Sequence, residues 1–135
     1  PCVIVEIGTA VAMGILDKNA NYIGGVISPG PRVSQEALAR GAALLPNVSV
    51  TPTAAVIAKT TATSMQSGIV NGSAAMIDGL LERIEGELGE TVSAVAAGDW
   101  AETIIPHCRR KDIVIDNDIL MHGLWDIYKK NRRNY

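Results

Sequence analysis

The sequence has few of the side chains that most often perform chemistry in enzymes. Its 135 residues include two histidines, His107 and His122, and neither accompanies a nucleophile or a carboxylate that would suggest an acid–base pair. The two cysteines, Cys2 and Cys108, are isolated and lack the spacing of metal ligands, so we expect both to be reduced thiols. No catalytic histidine and no cysteine-based metal site is therefore indicated.

The chain also lacks the features of membrane and nucleic-acid-binding proteins. No apolar run approaches the roughly 20 residues that a membrane-spanning helix requires, and no charged-then-apolar signal segment opens the sequence. The formal net charge is −2, and the one basic cluster, Lys129, Lys130, Arg132 and Arg133, lies at the C-terminus. We therefore expect a cytoplasmic protein that binds neither nucleic acid nor a membrane.

What the sequence does contain is enough apolar residues for one folded core. Hydrophobic residues make up 47% of the 135, which is the size of a single domain. We therefore expect residues 1–135 to form one domain. The first residue is Pro1 rather than Met, which we interpret as the start of a fragment or of one half of a longer protein.

The longest periodic segment is residues 59–88, which predicts one long amphipathic helix. Its main apolar stripe repeats at spacings of four and three, and a second stripe runs beside it. The first stripe consists of Val70, Ala74, Ile77, Leu81, Ile84 and Leu88, and the second of Met65, Ile69, Met76 and Leu80. Gly68 and Gly72 lower helix propensity by up to about 1 kcal/mol each, so we expect a closely packed partner helix or subunit to compensate.

The start of this helix is rich in hydroxyl groups. Thr60, Thr61, Thr63 and Ser64 crowd the first turn, where four backbone N–H groups have no partner within the helix. Two interpretations remain open at this point. Either one hydroxyl caps the helix and the others are solvated, or the turn binds an anion or a carboxylate.

The order of the other elements indicates the fold class. Strands are predicted at 2–7, 10–16, 22–28, 91–97 and 113–115, and helices at 33–45, at 99–105 and after a cap at Asp116 or Asn117. The first three strands are joined by tight connections, which predicts an antiparallel meander, and the later strands alternate with helices. This mixed α/β arrangement resembles the ribonuclease H-like domain of the sugar kinase, Hsp70 and actin superfamily, in which two such domains enclose a nucleotide cleft.

Several segments, in this order, resemble the C-terminal domain of type III pantothenate kinases. They are VEIGTA, YIGGVISPG, the run 34–46, KTTATSMQSGIVNG, MIDGLLERI and HGLWDIYKKN. The most specific is residues 61–68, TATSMQSG, which is similar to the family's NTxxAMQSG segment with Thr60 in place of the Asn. Such kinases phosphorylate pantothenate to 4′-phosphopantothenate, the first step toward coenzyme A, with ATP, Mg²⁺ and usually K⁺ or NH₄⁺.

The resemblance implies three site residues. In the family's first hairpin, DFGTATTFD, the leading Asp binds the monovalent cation and the first Thr contacts ATP, and Glu6 and Thr9 occupy those positions. The Thr of NTxxAMQSG reaches pantothenate bound in the neighbouring subunit, and Thr61 matches it. We therefore expect Glu6 at a cation site, Thr9 at an ATP site, and Thr61 at a pantothenate site that is completed across a dimer.

The departures from the family pattern concentrate in the ATP half of the site. Glu6 is one methylene longer than Asp, residues 11–14 lack the polar groups of the family hairpin, and Asp99 replaces the second Gly of a Thr-Gly-Gly motif. The family's DxGNT phosphate loop, and its GADR segment with the general base, have no counterpart in these 135 residues. We therefore assign no catalytic residue to this chain.

The sequence thus predicts a half-length subunit of a type III pantothenate kinase, a phosphotransferase that acts on an alcohol group. Alone it would be inactive, and it would complete a partner's site in a homodimer or heterodimer. One alternative is an ordinary homodimeric kinase whose N-terminal half lies outside this sequence. The other is a non-catalytic regulatory or interaction protein that has kept the kinase fold.

Overall fold

The computed structural model describes residues 1–132, and a five-stranded mixed sheet is the centre of this part of the chain. The strands are β1 (Cys2–Ile7), β2 (Ala10–Leu16), β3 (Tyr22–Pro29), β4 (Ser93–Ala97) and β5 (Val114–Ile115), and their spatial order is β3-β2-β1-β4-β5. The β1–β2 and β2–β3 pairs are antiparallel, and the β1–β4 and β4–β5 pairs are parallel. This arrangement is that of the ribonuclease H-like fold, so the predicted fold class is confirmed.

The helices follow the predicted order, with corrected ends. They are α1 (Pro31–Gly41), α2 (Thr61–Leu88), α3 (Ala101–Ile104) and α4 (Ile119–Arg132), with a 3₁₀ turn at Ile105–His107 between α3 and β5. The prediction of 33–45 for α1 was shifted, because Pro31 opens the helix, where its missing N–H costs nothing, and Ala42 already has extended backbone. Pro106 does not end a helix as predicted but lies inside the 3₁₀ turn.

The core lies between one face of the sheet and α2. Alternate residues of β1, namely Val3, Val5 and Ile7, have no exposed surface, as the period of two in a strand requires. Ile77 and Leu81 of α2 pack into the same cluster of buried side chains. The main apolar stripe predicted for this helix is therefore confirmed as its core-facing side.

Asp78 is a buried acid on the core side of α2. Its carboxylate accepts the backbone N–H groups of Arg109, at 2.7 Å, and of Arg110, at 3.1 Å. Two turns further, Glu85 accepts the Val92 N–H at 2.9 Å and the Arg110 guanidinium at 2.8 Å. These contacts tie the C-terminal half of α2 to the start of β4 and to the loop that leads into β5.

The apolar face predicted for α1 is not buried in this chain. Val33 and Leu38 are 37% and 41% exposed, and the buried residues of α1 are Pro31 and Gln35. The helix is held to the chain by a hydrogen bond from the Gln35 amide to the Asn47 side chain rather than by an apolar face. Val33 and Leu38 therefore lie on an exposed side of α1 within residues 1–132.

The apolar face of α4 is likewise uncovered. No residue of this helix is buried, and the predicted face, Leu120, Leu124, Ile127 and Tyr128, is exposed. The predicted cap was Asp116 or Asn117, and the Asn117 side-chain oxygen accepts the Gly98 N–H at 3.1 Å rather than an N–H of the helix. The carboxylate of Asp116 accepts the Asp118 N–H just before the helix begins.

Both cysteines are free thiols, as predicted. Cys108 is buried and Cys2 is partly buried. Burial, with the carboxylate of Asp78 nearby, raises the pKa of the Cys108 thiol to about 11, so it stays protonated. Within residues 1–132, no helix is long and apolar enough to cross a membrane.

Candidate functional site

The turn between β1 and β2 carries two of the residues that the family resemblance singled out, Glu6 and Thr9. Glu6 lies near the end of β1, between Ala12 of β2 and Ala97 of β4. Thr9 is in the turn itself, where the Gly8 N–H donates to the Ala10 carbonyl at 3.0 Å. Both side chains are exposed, so both are accessible to a ligand.

Two glycines from other parts of the chain hold this turn in place through close backbone contacts. The Gly30 N–H donates to the Thr9 carbonyl at 3.0 Å, and a Cβ on Gly30 would lie 2.5 Å from that oxygen. Gly98 has φ +105°, and a Cβ there would lie 2.7 Å from the Ile7 carbonyl oxygen. Larger residues do not fit at either position, and the location of Thr9 is therefore set by the backbone on both sides.

Thr9 borders a cavity of about 460 Å³ at the edge of the sheet. The cavity is lined by Gly8, Thr9, Arg32, Val33, Glu36, Asp99 and Trp100. The Arg32 guanidinium is paired with the Glu36 carboxylate at 3.0 Å, which leaves the Asp99 carboxylate as the unbalanced charge. A hydroxyl and exposed backbone suit a phosphate, but the surplus carboxylate repels one, so this cavity by itself is a poor site for a triphosphate.

Glu6 does not share this cavity with Thr9. It lines a separate apolar groove of about 550 Å³, together with Ala97, Gly98, Asn117 and one side of α4. The Asn117 side-chain oxygen is already used by the Gly98 N–H, and residues 1–132 contain no cluster of three or more His, Cys, Asp or Glu that could hold a metal. Glu6 is the one carboxylate among the residues that line this groove, and the monovalent-cation site at Glu6 stays a prediction.

The hydroxyl groups in the first turn of α2 have different roles. Thr60 is the N-cap: its side chain accepts the Thr63 N–H at 3.2 Å, and the Thr63 hydroxyl accepts the Thr60 N–H at 3.3 Å. Thr61 is the first helical residue and is exposed, and in the described part of the chain no hydrogen bond involves its hydroxyl. The capping interpretation therefore holds for Thr60 and Thr63, while Thr61 remains available to a ligand.

The loop before α2 is attached to the helix by Gln66 and Ser67 of the TATSMQSG segment. The Gln66 amide donates to the Ser49 carbonyl and to the Thr51 hydroxyl, each at 3.2 Å. The Ser67 hydroxyl donates to the Val56 carbonyl at 2.6 Å. The sequence alone indicated no role for these two side chains, because their hydrogen-bond partners are 11 to 17 residues away and no local pattern reveals them.

Gly68 and Gly72 of α2 face open space within residues 1–132. A Cβ added at Gly68 or Gly72 would meet nothing within 4 Å. Both glycines line a shallow groove of about 310 Å³ between α2 and the β3–α1 corner, with Leu38 and Met76 among its apolar walls. No contact within residues 1–132 compensates for the low helix propensity of these glycines.

Two charged residues with defined roles, Arg32 and Asp78, were not predicted from the sequence. Arg32 enters the Thr9 cavity from the first turn of α1, and its position directly after Pro31 was the available signal. Asp78 was a visible signal too, because it is an acid between Ile77 and Leu81 of the apolar stripe. It is 7% exposed, and its role is to hold the loop before β5 rather than to bind a ligand.

Comparison with known proteins identifies the family. Residues 1–83 match the family described as type III pantothenate kinase. The chain belongs to the type III pantothenate kinase family. This confirms the resemblance that was recognised in the hairpin and in the TATSMQSG segment.

Curated type III pantothenate kinases match the chain over nearly its whole length. The enzyme of Thermus thermophilus is 36% identical over 126 residues, which is 93% of this chain and 49% of that protein. The enzyme of Geotalea daltonii is 37% identical over 132 residues, or 98% of this chain and 51% of that protein. The chain therefore spans about half the length of the curated relatives it matches.

Solved structures share the fold of this kinase-family chain. A protein of Campylobacter jejuni described as a Baf family transcriptional activator superposes with a TM-score of 0.71, at 17% identity, over 98% of this chain and 59% of its own. The activator of 2-hydroxyisocaproyl-CoA dehydratase from Clostridium difficile, with bound ADPNP, has a TM-score of 0.59, also at 17% identity, over 99% and 63%. At this identity the likeness concerns the fold alone.

Proposed function

We propose that this chain is one part of a type III pantothenate kinase that transfers a phosphoryl group from ATP to pantothenate and yields 4′-phosphopantothenate. Family membership supports the reaction class. The observation that carries the role of this chain is the start of α2, where Thr60 and Thr63 satisfy the helix cap between them and leave the exposed Thr61 hydroxyl to an outside partner.

In this proposal the Thr61 hydroxyl hydrogen-bonds pantothenate that is bound in a partner subunit. Thr61 lies neither in the Thr9 cavity nor in the Glu6 groove, and in this proposal a second chain supplies the rest of the site for its ligand. The groove at Gly68 and Gly72 is where we place the contact between the two α2 helices, in a homodimer or a heterodimer. We expect the activity in the cytoplasm, where ATP is available.

The chain alone would not catalyse the reaction. Phosphoryl transfer requires a general base at the substrate hydroxyl and a cradle for the phosphates. Of the proposed nucleotide contacts this chain supplies the Thr9 hydroxyl, and the Asp99 carboxylate beside it opposes a triphosphate. Bound Mg²⁺ would neutralise phosphate charge in the assembled enzyme. A monovalent cation, K⁺ or NH₄⁺, would lie near the Glu6 carboxylate, and we assign no step to it.

The proposal is tested with Thr61→Val in a complex of this chain with the full-length pantothenate kinase that copurifies with it. The valine keeps the shape of threonine but leaves a polar group of pantothenate unpaired, which costs about 1–3 kcal/mol. The kcat/KM for pantothenate should therefore fall roughly 5- to 150-fold, with an unchanged KM for ATP. Thr61→Ser should restore most of the activity.

Thr63→Val is the matched control, because Thr63 belongs to the helix cap. It should lower the melting temperature and leave the KM for pantothenate near its original value. Equal kinetic losses at Thr61 and Thr63 would contradict the proposal. So would phosphorylation of pantothenate by the isolated chain faster than about a thousandth of an ordinary kinase's 1–100 s⁻¹. If no pantothenate kinase copurifies, the non-catalytic regulatory alternative is favoured.

A further inference from the structure

Residues 49–58 form a loop, here called the arm, that lies against the second turn of α2. The segment has no helix or strand and bends at 54–57, yet two points along it are attached to consecutive residues of the helix. Near its start the Gln66 amide reaches Ser49 and Thr51, and near its end the Ser67 hydroxyl reaches the Val56 carbonyl. The chain then has only four residues, 57–60, before the helix begins at Thr61.

The attachment is specific rather than a by-product of burial. Ser67 is 3% exposed and its hydroxyl lies 2.6 Å from the Val56 carbonyl oxygen, while Val56 itself is 69% exposed and Ile57 is 87% exposed. Apolar contacts therefore do not hold the tip of the arm against this chain. Val50 near the start of the arm packs against the core, whereas hydrogen bonds from the helix hold the tip, where Val56 and Ile57 are exposed.

The end of the arm lies next to Thr61. Because Val56 is fixed to α2 at Ser67, and the cap at Thr60 fixes the other end, the intervening residues are confined to the surface next to Thr61. Because this short loop is already fixed at both ends, it loses little conformational entropy when a partner binds it. Such a pre-organised surface favours binding. Whatever receives Thr61 must also accommodate Ile57 and Lys59.

We propose that Gln66 and Ser67 are positioning residues for the pantothenate contact in trans. They hold the 49–58 arm rigidly beside Thr61, so that the Thr61 hydroxyl and the arm enter the partner's site as one unit. This inference rests on the proposed function of Thr61. It adds two residues that touch no substrate and act by keeping the segment next to Thr61 in one conformation.

The first test uses the isolated chain and measures the arm directly. Gln66→Glu keeps the size of the side chain but removes the N–H donor, and Ser67→Ala removes the hydroxyl donor. We expect trypsin to cleave after the exposed Lys59 about tenfold faster in either variant, because the open arm is more populated. Ser73→Ala is the matched control, since the Ser73 hydroxyl donates to Ile69 inside the helix and does not touch the arm. Unchanged cleavage after Lys59 in both variants would overturn the proposal.

The second test measures kinetics in the complex with the copurifying full-length kinase. If the arm is loosened, Thr61 is positioned to bind pantothenate in a smaller fraction of the molecules. Gln66→Glu should therefore raise the KM for pantothenate several-fold, with kcat and the KM for ATP unchanged. A purely structural role would instead change the melting temperature without this split. If Thr61→Val raises the KM and Gln66→Glu does not, the positioning role is wrong and the role of Thr61 stands. If Thr61→Val has no effect either, both are wrong.

Discussion

The helices α2 and α4 both carry a regular apolar stripe, yet only α2 is covered. Eight residues of α2 are buried, whereas none of α4 is. A period near 3.6 therefore reports that a helix has an apolar face, and not what lies against that face. An uncovered helix of 14 residues is marginally stable in water, so α4 has little local stability of its own.

The difference has a structural cause. α2 lies on the face of the sheet that carries Val3, Val5 and Ile7, and its acids Asp78 and Glu85 bind backbone N–H groups of neighbouring segments. α4 approaches the opposite face of the sheet and leaves a groove of about 550 Å³ between them. Residues on α2 should therefore dominate stability, and equivalent residues on α4 should matter little.

The largest expected effect is at Leu81. Leu81 is 1% exposed, so Leu81→Ala leaves a cavity and should lower the free energy of unfolding by about 2–5 kcal/mol. The same substitution at Leu124, which is 52% exposed, should cost less than about 0.5 kcal/mol. Urea denaturation of both variants measures this difference. Similar losses would show that α4 is covered in solution.

The next effect is at Asp78. Asp78→Ala strands the N–H groups of Arg109 and Arg110 without acceptors, and we expect a loss of about 3 kcal/mol in the free energy of unfolding. Glu82→Ala, an exposed acid one turn away on the same helix, is the control and should be nearly neutral. A neutral result at Asp78 would mean that solvent replaces its hydrogen bonds.

Gly72 should affect assembly rather than folding. Gly72→Leu points into open space in the single chain and improves helix propensity, so stability should stay unchanged or rise by up to about 1 kcal/mol. If α2 meets a second α2 there, the same variant disrupts the dimer, as measured by light scattering. Gly123→Leu on α4 also points into open space and should leave the dimer intact. An unchanged dimer in Gly72→Leu would place the contact elsewhere.

The smallest effect concerns acid stability. The Val92 N–H, followed by the Arg110 guanidinium, holds the pKa of Glu85 below its ordinary value of 4.5. Because the pKa is lowered in the folded state, this stabilisation is present above pH 4.5 and is lost as the pH falls from there toward the folded-state pKa. Glu85→Gln should therefore flatten the loss of stability below that pH.

The control for acid stability is on α4. Lys129 lowers the pKa of Asp126, and its Nζ lies 2.7 Å from the Asp126 carboxylate. Because both side chains are exposed, solvent screens the attraction between them. Asp126→Asn should leave the acid limb of the stability curve unchanged. A comparable change in both variants would contradict the distinction between the two helices.

Much of the fold could be predicted because its signals are local. The bounds of β1 and β2 agree with the alternating apolar pattern, and α2 starts after its Thr60 cap and ends before Gly89, whose backbone is left-handed. The ends of α1 and the structure around Pro106 were predicted less accurately. The reason is that a proline can stand at the start of a helical turn as well as after the end of a helix.

The candidate site was only partly predictable. Glu6, Thr9 and Thr61 came from the family resemblance, and the structure places Glu6 and Thr9 in separate cavities with Thr61 in neither. Arg32 and Asp99 line the cavity beside Thr9 although they are far apart in sequence. Which distant residues line one cavity depends on which strands pair, and no local pattern predicts it.

The sequence by itself determined the order of strands and helices, the core-facing stripe of α2 and the family, because each depends on periodicity, capping residues or a short motif. Only the tertiary structure decided that Asp78 is a structural anchor, that Gln66 and Ser67 reach back to the preceding loop, and that α4 stays uncovered. Burial and hydrogen-bond partners are properties of the space around a residue, and in this chain that space is filled by segments distant in sequence.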